Sequence, residues 1–269
     1  FSMKGNFDNL ASNYKDLKAL LPNVLGESIP SIFDKLGSFS ITGQTHITSS
    51  TINADLNIDT SLGYIISNLE MEKINDIDNA TYKGNIIFDE FDLGSFLNDS
   101  TLNTTSLNLD VDGIGFTKGN LNTNVKGDVY SMIYNDYEYR NITVSGNLED
   151  KVFNGFVNSK DQNLDLEFNG LIDFSKEIND FDFVANVDYA NLKALNFMKK
   201  DSMSVFKGLV DMKMQGTSLD NVVGSISFNK TYYKNINEEY FFDDFAINSS
   251  FKYTCSSVPF TIVNVIFLN

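Results

Sequence analysis

From Gly37 onward the chain alternates apolar and polar residues with a period of two. Ile52, Ala54, Leu56 and Ile58 alternate with Asn53, Asp55, Asn57 and Asp59, and Leu107, Leu109 and Val111 alternate with Asn108, Asp110 and Asp112. The pattern returns at Ile142 and Val144, at Leu164, Leu166 and Phe168, and at Phe181, Phe183, Ala185, Val187 and Tyr189. Because successive side chains of a strand point to opposite faces, each run predicts a strand with one apolar and one wet face. Turn-forming clusters separate the runs at hairpin spacing: Lys118-Gly119-Asn120, Asn135-Asp136, Glu149-Asp150-Lys151, Lys160-Asp161-Gln162 and Glu177 to Asp180. No proline falls between Ser31 and Val258, so nothing interrupts ladder pairing there. The expected architecture is a mainly β, antiparallel meander.

Helical spacing is confined to short stretches. Leu10, Tyr14, Leu17 and Leu21 predict a helix over about 7–21, ended near Pro22, and a second helix fits 31–36, stopped by Gly37. Two further helices are expected at about 91–97 and 190–199, each following a strand. Gly43, Gly113 and Gly216 each follow an alternating run and read as equivalent points of a loose repeat, which suggests an elongated, twisted sheet of stacked modules. The segments read as a helical cap over 1–36 and three β-modules over 37–100, 101–200 and 201–269, the last with an atypical tail from about 245.

Composition narrows the function classes. The 269 residues carry 20 Lys and Arg against 36 Asp and Glu, a net charge of −16, which argues against a nucleic-acid partner because phosphate contacts need clustered bases. With 42% hydrophobic residues, including 23 Phe, the chain can bury a large core. One Cys, Cys255, and one His, His46, leave neither a disulfide framework nor a ligand set for a metal, and no nucleophile with its base. The chain is therefore expected not to be an enzyme and to need no cofactor. Asp112-Gly113-Ile114-Gly115 leads into another strand, whereas a dinucleotide fingerprint needs a helix there.

The sequence starts at Phe1 without an initiator Met or a readable signal peptide, so the chain is expected to be a piece of a longer protein, and no apolar run is long enough for a transmembrane helix. From Phe245 to Asn269 there is no acidic residue and one base, Lys252, and a buried strand or a truncated end both fit that composition. The apolar phase itself has two readings. A second sheet covers it in a sandwich, which periodicity alone favours; in a curled open sheet it lines a trough, where acyl-chain burial contributes about 0.8 kcal/mol per methylene. In the trough reading the lining residues are Leu107, Leu109, Val111, Ile142, Val144, Leu164, Leu166, Phe168, Phe181, Phe183 and Val187.

A series of short motifs bears on that choice. Leu20-Leu21-Pro22, Ser31 to Gly37, Thr42-Gly43, Thr60-Ser61-Leu62-Gly63, Tyr82-Lys83-Gly84 and Phe91-Asp92-Leu93-Gly94 are followed by Tyr139 to Gly146, Phe153-Asn154-Gly155, Asp161 to Leu166 and Phe168 to Phe174. In this order, over about residues 10–253, the chain resembles the TamB/AsmA-like envelope proteins of diderm bacteria, the inner-membrane part of a translocation and assembly module. The resemblance implies a periplasmic, twisted antiparallel sheet forming an open groove, tethered to the inner membrane. It also implies phospholipid acyl chains as cargo, an outer-membrane β-barrel partner, and roles in lipid transport and outer-membrane assembly. A secreted or cell-surface β-protein with a closed core, of adhesin type, is the competing expectation.

Overall fold

The computed structural model describes residues 2–20, 31–117, 119–198, 203–217, 221–252 and 260–267. Two compact units, Phe1–Asp150 and Lys151–Asn269, make up the chain. The first contains β1 (Ser2–Asn13), β2 (Ser38–Thr48), β3 (Thr51–Thr60), β4 (Gly63–Glu72), β5 (Thr81–Asp92), β6 (Leu102–Ile114), β7 (Asn122–Tyr134) and β8 (Tyr137–Glu149). Each strand pairs antiparallel with the next in sequence, and the sheet is not closed. The second contains β9 (Val152–Asp161), β10 (Leu164–Asp173), β11 (Asp180–Asn191), β12 (Ser204–Gln215), β13 (Val223–Asn235), β14 (Glu239–Phe242), β15 (Phe245–Lys252) and β16 (Phe260–Phe267). It is also an open antiparallel meander, with β13 paired to both β14 and β15 and β15 to β16. The protein is mainly β, as the period of two predicts.

The hairpin turns form where the turn residues stand. Between β7 and β8, Asn135 and Asp136 have φ of 50° and 61°, the left-handed pair of a type I′ turn whose twist matches that of the flanking strands. The helical expectations fare less evenly. The 3-10 helix Ser31–Leu36 occupies its expected place, and α2 (Leu93–Leu97) lies inside 91–97, opened by Asp92, whose Oδ1 accepts the Ser95 amide at 2.8 Å. Lys35 Nζ donates to the Ser95 and Phe96 carbonyls at 3.1 and 2.8 Å and so joins the 3-10 helix to the end of α2.

Two helices are corrected. The stretch expected to be helical from residue 7 is strand β1 as far as Asn13, and among the described residues Tyr14–Leu20 forms α1, with Leu21 outside them. Asn13 sets the boundary: its Oδ1 accepts the Asp16 amide at 3.0 Å, and pairing with β2 takes everything before it. A one-residue bulge between Phe7 and Leu10 puts both side chains on the apolar face three positions apart, a spacing that in sequence imitates a helix. The expected helix over 190–199 is a run of hydrogen-bonded turns over 192–196, with Lys199 outside the described residues. β11 continues to Asn191, and Asn196, at φ 63°, ends the coil after a single turn. Nor are the three glycines equivalent: Gly43 and Gly113 sit within β2 and β6, opposite Leu56 and Tyr82, while Gly216 follows β12.

Other glycines are required by the backbone. Gly84 in β5 has φ +148°, and a Cβ there would lie 1.9 Å from the Asn68 carbonyl oxygen; Gly127 in β7, φ +155°, would meet the Asn108 oxygen at 2.1 Å. Both clashes are with backbone already committed to the ladder, so no rotamer relieves them. Gly84→Ala and Gly127→Ala are each expected to lower unfolding stability by about 2–4 kcal/mol, read from denaturant midpoints at constant slope. A loss below about 1 kcal/mol would show that the strands straighten at no cost.

After β10 the chain is held by Asp173, whose side chain is 6% exposed and accepts from the Ser175 amide at 2.8 Å and from Lys176 Nζ at 2.8 Å. Those bonds, led by that from Lys176, hold its carboxyl down at about 2, below the usual 3.8. A depressed folded-state value contributes stability above the unfolded one that disappears as pH falls through the folded one. Asp173→Asn is therefore expected to cost about 1–2 kcal/mol at neutral pH, and the difference from wild type should vanish between about pH 4 and pH 2. A pH-independent difference would assign the loss to packing.

Candidate functional site

Antiparallel pairing places directly opposed residues on one face, so the register decides which side chains share a surface. In the first unit Ile41, Ile58, Ile65, Phe88, Leu107, Val129 and Ile142 stand opposite one another from β2 to β8. Leu109 and Val144 flank Gly127 in the next row, and Val111 pairs with Val125 in the one after. All five residues expected from β6 and β8 thus lie on one apolar face. At one rim of it Leu36, Phe39, Ile41 and Phe91 form a buried cluster against which Leu17, Phe33 and Phe96 pack. The short helices contribute to that rim.

The other six expected residues share a face of the second unit. Val157, Phe168, Ala185, Val210 and Phe228 form a row across β9 to β13. Phe183 with Met212, and Phe181 with Met214, continue the surface on one side. On the other side Leu164 stands opposite Ala190, and Leu166 meets Val187 after a bulge that skips Asp188. Phe153, Phe168 and Phe183 make a chain of ring contacts with centroids 6.4 and 5.0 Å apart.

Of the eleven, Leu107, Val111, Ile142 and Phe168 are buried at 8–9% exposure and the other seven are half-buried, whereas the intervening Asp112, Glu167 and Asp182 are exposed. Within each unit the described strands all belong to one sheet, so the burial comes from neighbouring side chains on the same layer. Most of these rows are uncharged, but the row of Leu164 and Ala190 ends at Asp161 of β9, 6% exposed, whose Oδ1 accepts the Asn163 amide at 2.8 Å. Nor are the rows wholly apolar: Ser67 stands between Leu56 and Ile86, and the Tyr82 hydroxyl bonds to Thr123 on the same face. Burial raises the Tyr82 pKa against the opposing effect of that bond. Among the described residues the buried hydroxyls of Thr45, Thr105 and Thr231 have no protein partner.

Sequence reasoning misses part of this face. Ile41, Ile65, Phe88, Val129, Val157 and Val210 carry the same alternation signal and were open to the same reading. Phe91, 1% exposed and stacked on Phe88 at 4.6 Å, is less legible, because a bulge at Glu90, φ 48°, returns it to the face one residue out of phase. Phe156, by contrast, faces away with Asn169 and Val184, and only Phe153 of the neighbouring pair joins the apolar surface.

The remaining chemistry is sparse. His46 Nε2 lies 3.0 Å from Ser2 Oγ on the polar face, and Cys255 falls outside the described residues. Among the described residues no group of three or more His, Cys, Asp or Glu is arranged to hold a metal ion, and no helix is long and apolar enough to cross a membrane. No protein-family model, curated protein or solved structure matches the chain.

Proposed function

We propose that the chain is a segment of a periplasmic, bridge-like lipid-transfer protein, tethered to the inner membrane, that carries phospholipid between the two membranes and serves outer-membrane assembly. The carrying observation is the apolar face on each open sheet, with its residues in cross-strand rows whose one charge, Asp161, stands at the end of the Leu164 row, and with no second sheet among the described residues of the same unit to seal it. Acyl chains need a contiguous apolar surface and no directional partner, and contact with a half-buried row removes further apolar area from water. The wet face, rich in Asp and Asn, keeps the carrier in solution. An inner-membrane anchor and an outer-membrane β-barrel partner belong to this reading.

Photocrosslinkers at Leu166 and Phe183 are expected to label phospholipid in the full-length protein, while those at Glu167 and Asp182 do not. Leu166→Asp or Phe183→Asp should block lipid passage with β content retained, since a charge facing hydrocarbon costs a few kcal/mol whereas a partly wet face hydrates it in the unloaded protein. Equal labelling of both phases contradicts the proposal, and unfolding of the charge variants points to a closed-core structural β-protein, where the same charge is buried without a partner.

A further inference from the structure

The opposite, polar face of the first unit is not flat. Two hollows of about 660 and 930 Å³ lie on it, and they meet at Asn68 on β4. The first is lined from β1 to β4 and the second from β4 to β8, so together they run across every strand of the unit. Across seven spacings of about 4.8 Å this amounts to roughly 30 Å of surface. The floor is the backbone of a cross-strand row that includes Gly5, Ala54, Gly84 and Gly146.

Side chains of the two flanking rows form the walls, and carboxamides are prominent among them. Asn6, Gln44, Asn53 and Asn68 are exposed and make no side-chain hydrogen bond to the protein among the described residues. Asn85 continues the line, donating to Asn108 and Asp110 at 2.7 and 3.0 Å, and Lys126 stands beyond it. Three lysines face four carboxylates along the whole hollow, a net charge of −1 on a chain that carries −16. Such a wall neither attracts a polyanion nor selects a polycation. It is too polar for an acyl chain. An extended peptide is recognised chiefly through free strand-edge amides and carbonyls, and the floor strands between β1 and β8 have both edges occupied by the ladder. What remains on offer is a line of paired donors and acceptors on short side chains, which matches vicinal hydroxyl groups.

We propose that this trough binds an extended, uncharged glycan, laid across the strands on the face opposite the apolar one. The carboxamides of Gln44, Asn53 and Asn68 hydrogen-bond successive sugar hydroxyls, each both donating and accepting. No Phe, Tyr or Trp lines the trough, so ring stacking contributes nothing and the affinity is of about millimolar order. The site is independent of the lipid-transfer reading.

The test titrates the whole chain with chitohexaose, an uncharged oligosaccharide, and follows side-chain amide resonances by NMR. Saturable shifts are expected at Asn53 and Asn68, together with binding about tenfold weaker in a Gln44→Ala, Asn53→Ala, Asn68→Ala triple variant whose melting temperature is unchanged. These side chains hold no partner, so their removal leaves the fold intact. Absence of saturable shifts up to about 10 mM, equal binding by the triple variant, shifts confined to the apolar face, or tighter binding of an unmodified extended peptide would each overturn the proposal.

Discussion

The arrangement depends on antiparallel backbone pairing in a register that keeps like phase opposite like phase. A strand presents alternate residues to alternate faces, so a slip of one residue would send its whole apolar set into water. Here the rows Ile41 to Ile142 and Val157 to Phe228 run through several strands without a charged residue appearing among them. Where the sequence steps out of phase, the backbone follows: bulges at Glu90 and Asp188 each insert one residue and return Phe91 and Ala190 to the apolar face, while Tyr189, in the apolar phase by sequence, pairs with Asp165 on the opposite one. Each such insertion leaves ladder groups locally unpaired, so it persists only where packing compensates, and Phe91 supplies that as one of the most buried large side chains.

The two faces then acquire opposite physics from one alternation. On the apolar side, side chains bury one another within a single layer, which leaves most of them half-exposed and short of the density of a sandwich core. On the polar side most carboxylates, Asp173 excepted, stand exposed and screened from one another beyond about 8 Å by salt, so a charge of −16 is distributed rather than concentrated. Surface ion pairs such as Lys83 with Asp112, at 3.0 Å and well exposed on both sides, contribute little to stability. Cohesion is therefore carried by the ladders and by the apolar rows, and the surface that stabilises each sheet is the same surface proposed to meet lipid.

How much of this is legible in the sequence follows from which signals are local. The strands from β2 onward and the Asn135-Asp136 turn are local, because alternation and left-handed turn residues act within a few positions. The eleven apolar residues were found by phase alone, and the structure gathers them onto one face of each unit. What escaped depends on distant partners. β1 reads as helix until β2 is there to pair with it, and 192–196 reads as helix until Asn196 turns left-handed. Phe156 and Val184 break the wet phase with no local sign, and the hydroxyls on the apolar face look like ordinary strand residues in sequence. The polar trough was invisible for a related reason: it forms from rows contributed by eight separate strands.

The account stands on the apolar face being open to acyl chains, and native mass spectrometry of the gently purified full-length protein measures that most directly. It predicts adducts at phospholipid masses that are displaced by detergent while the protein stays folded. A lipid-free protein whose interior also excludes hydrophobic dyes would contradict it and establish the apolar face as a closed core.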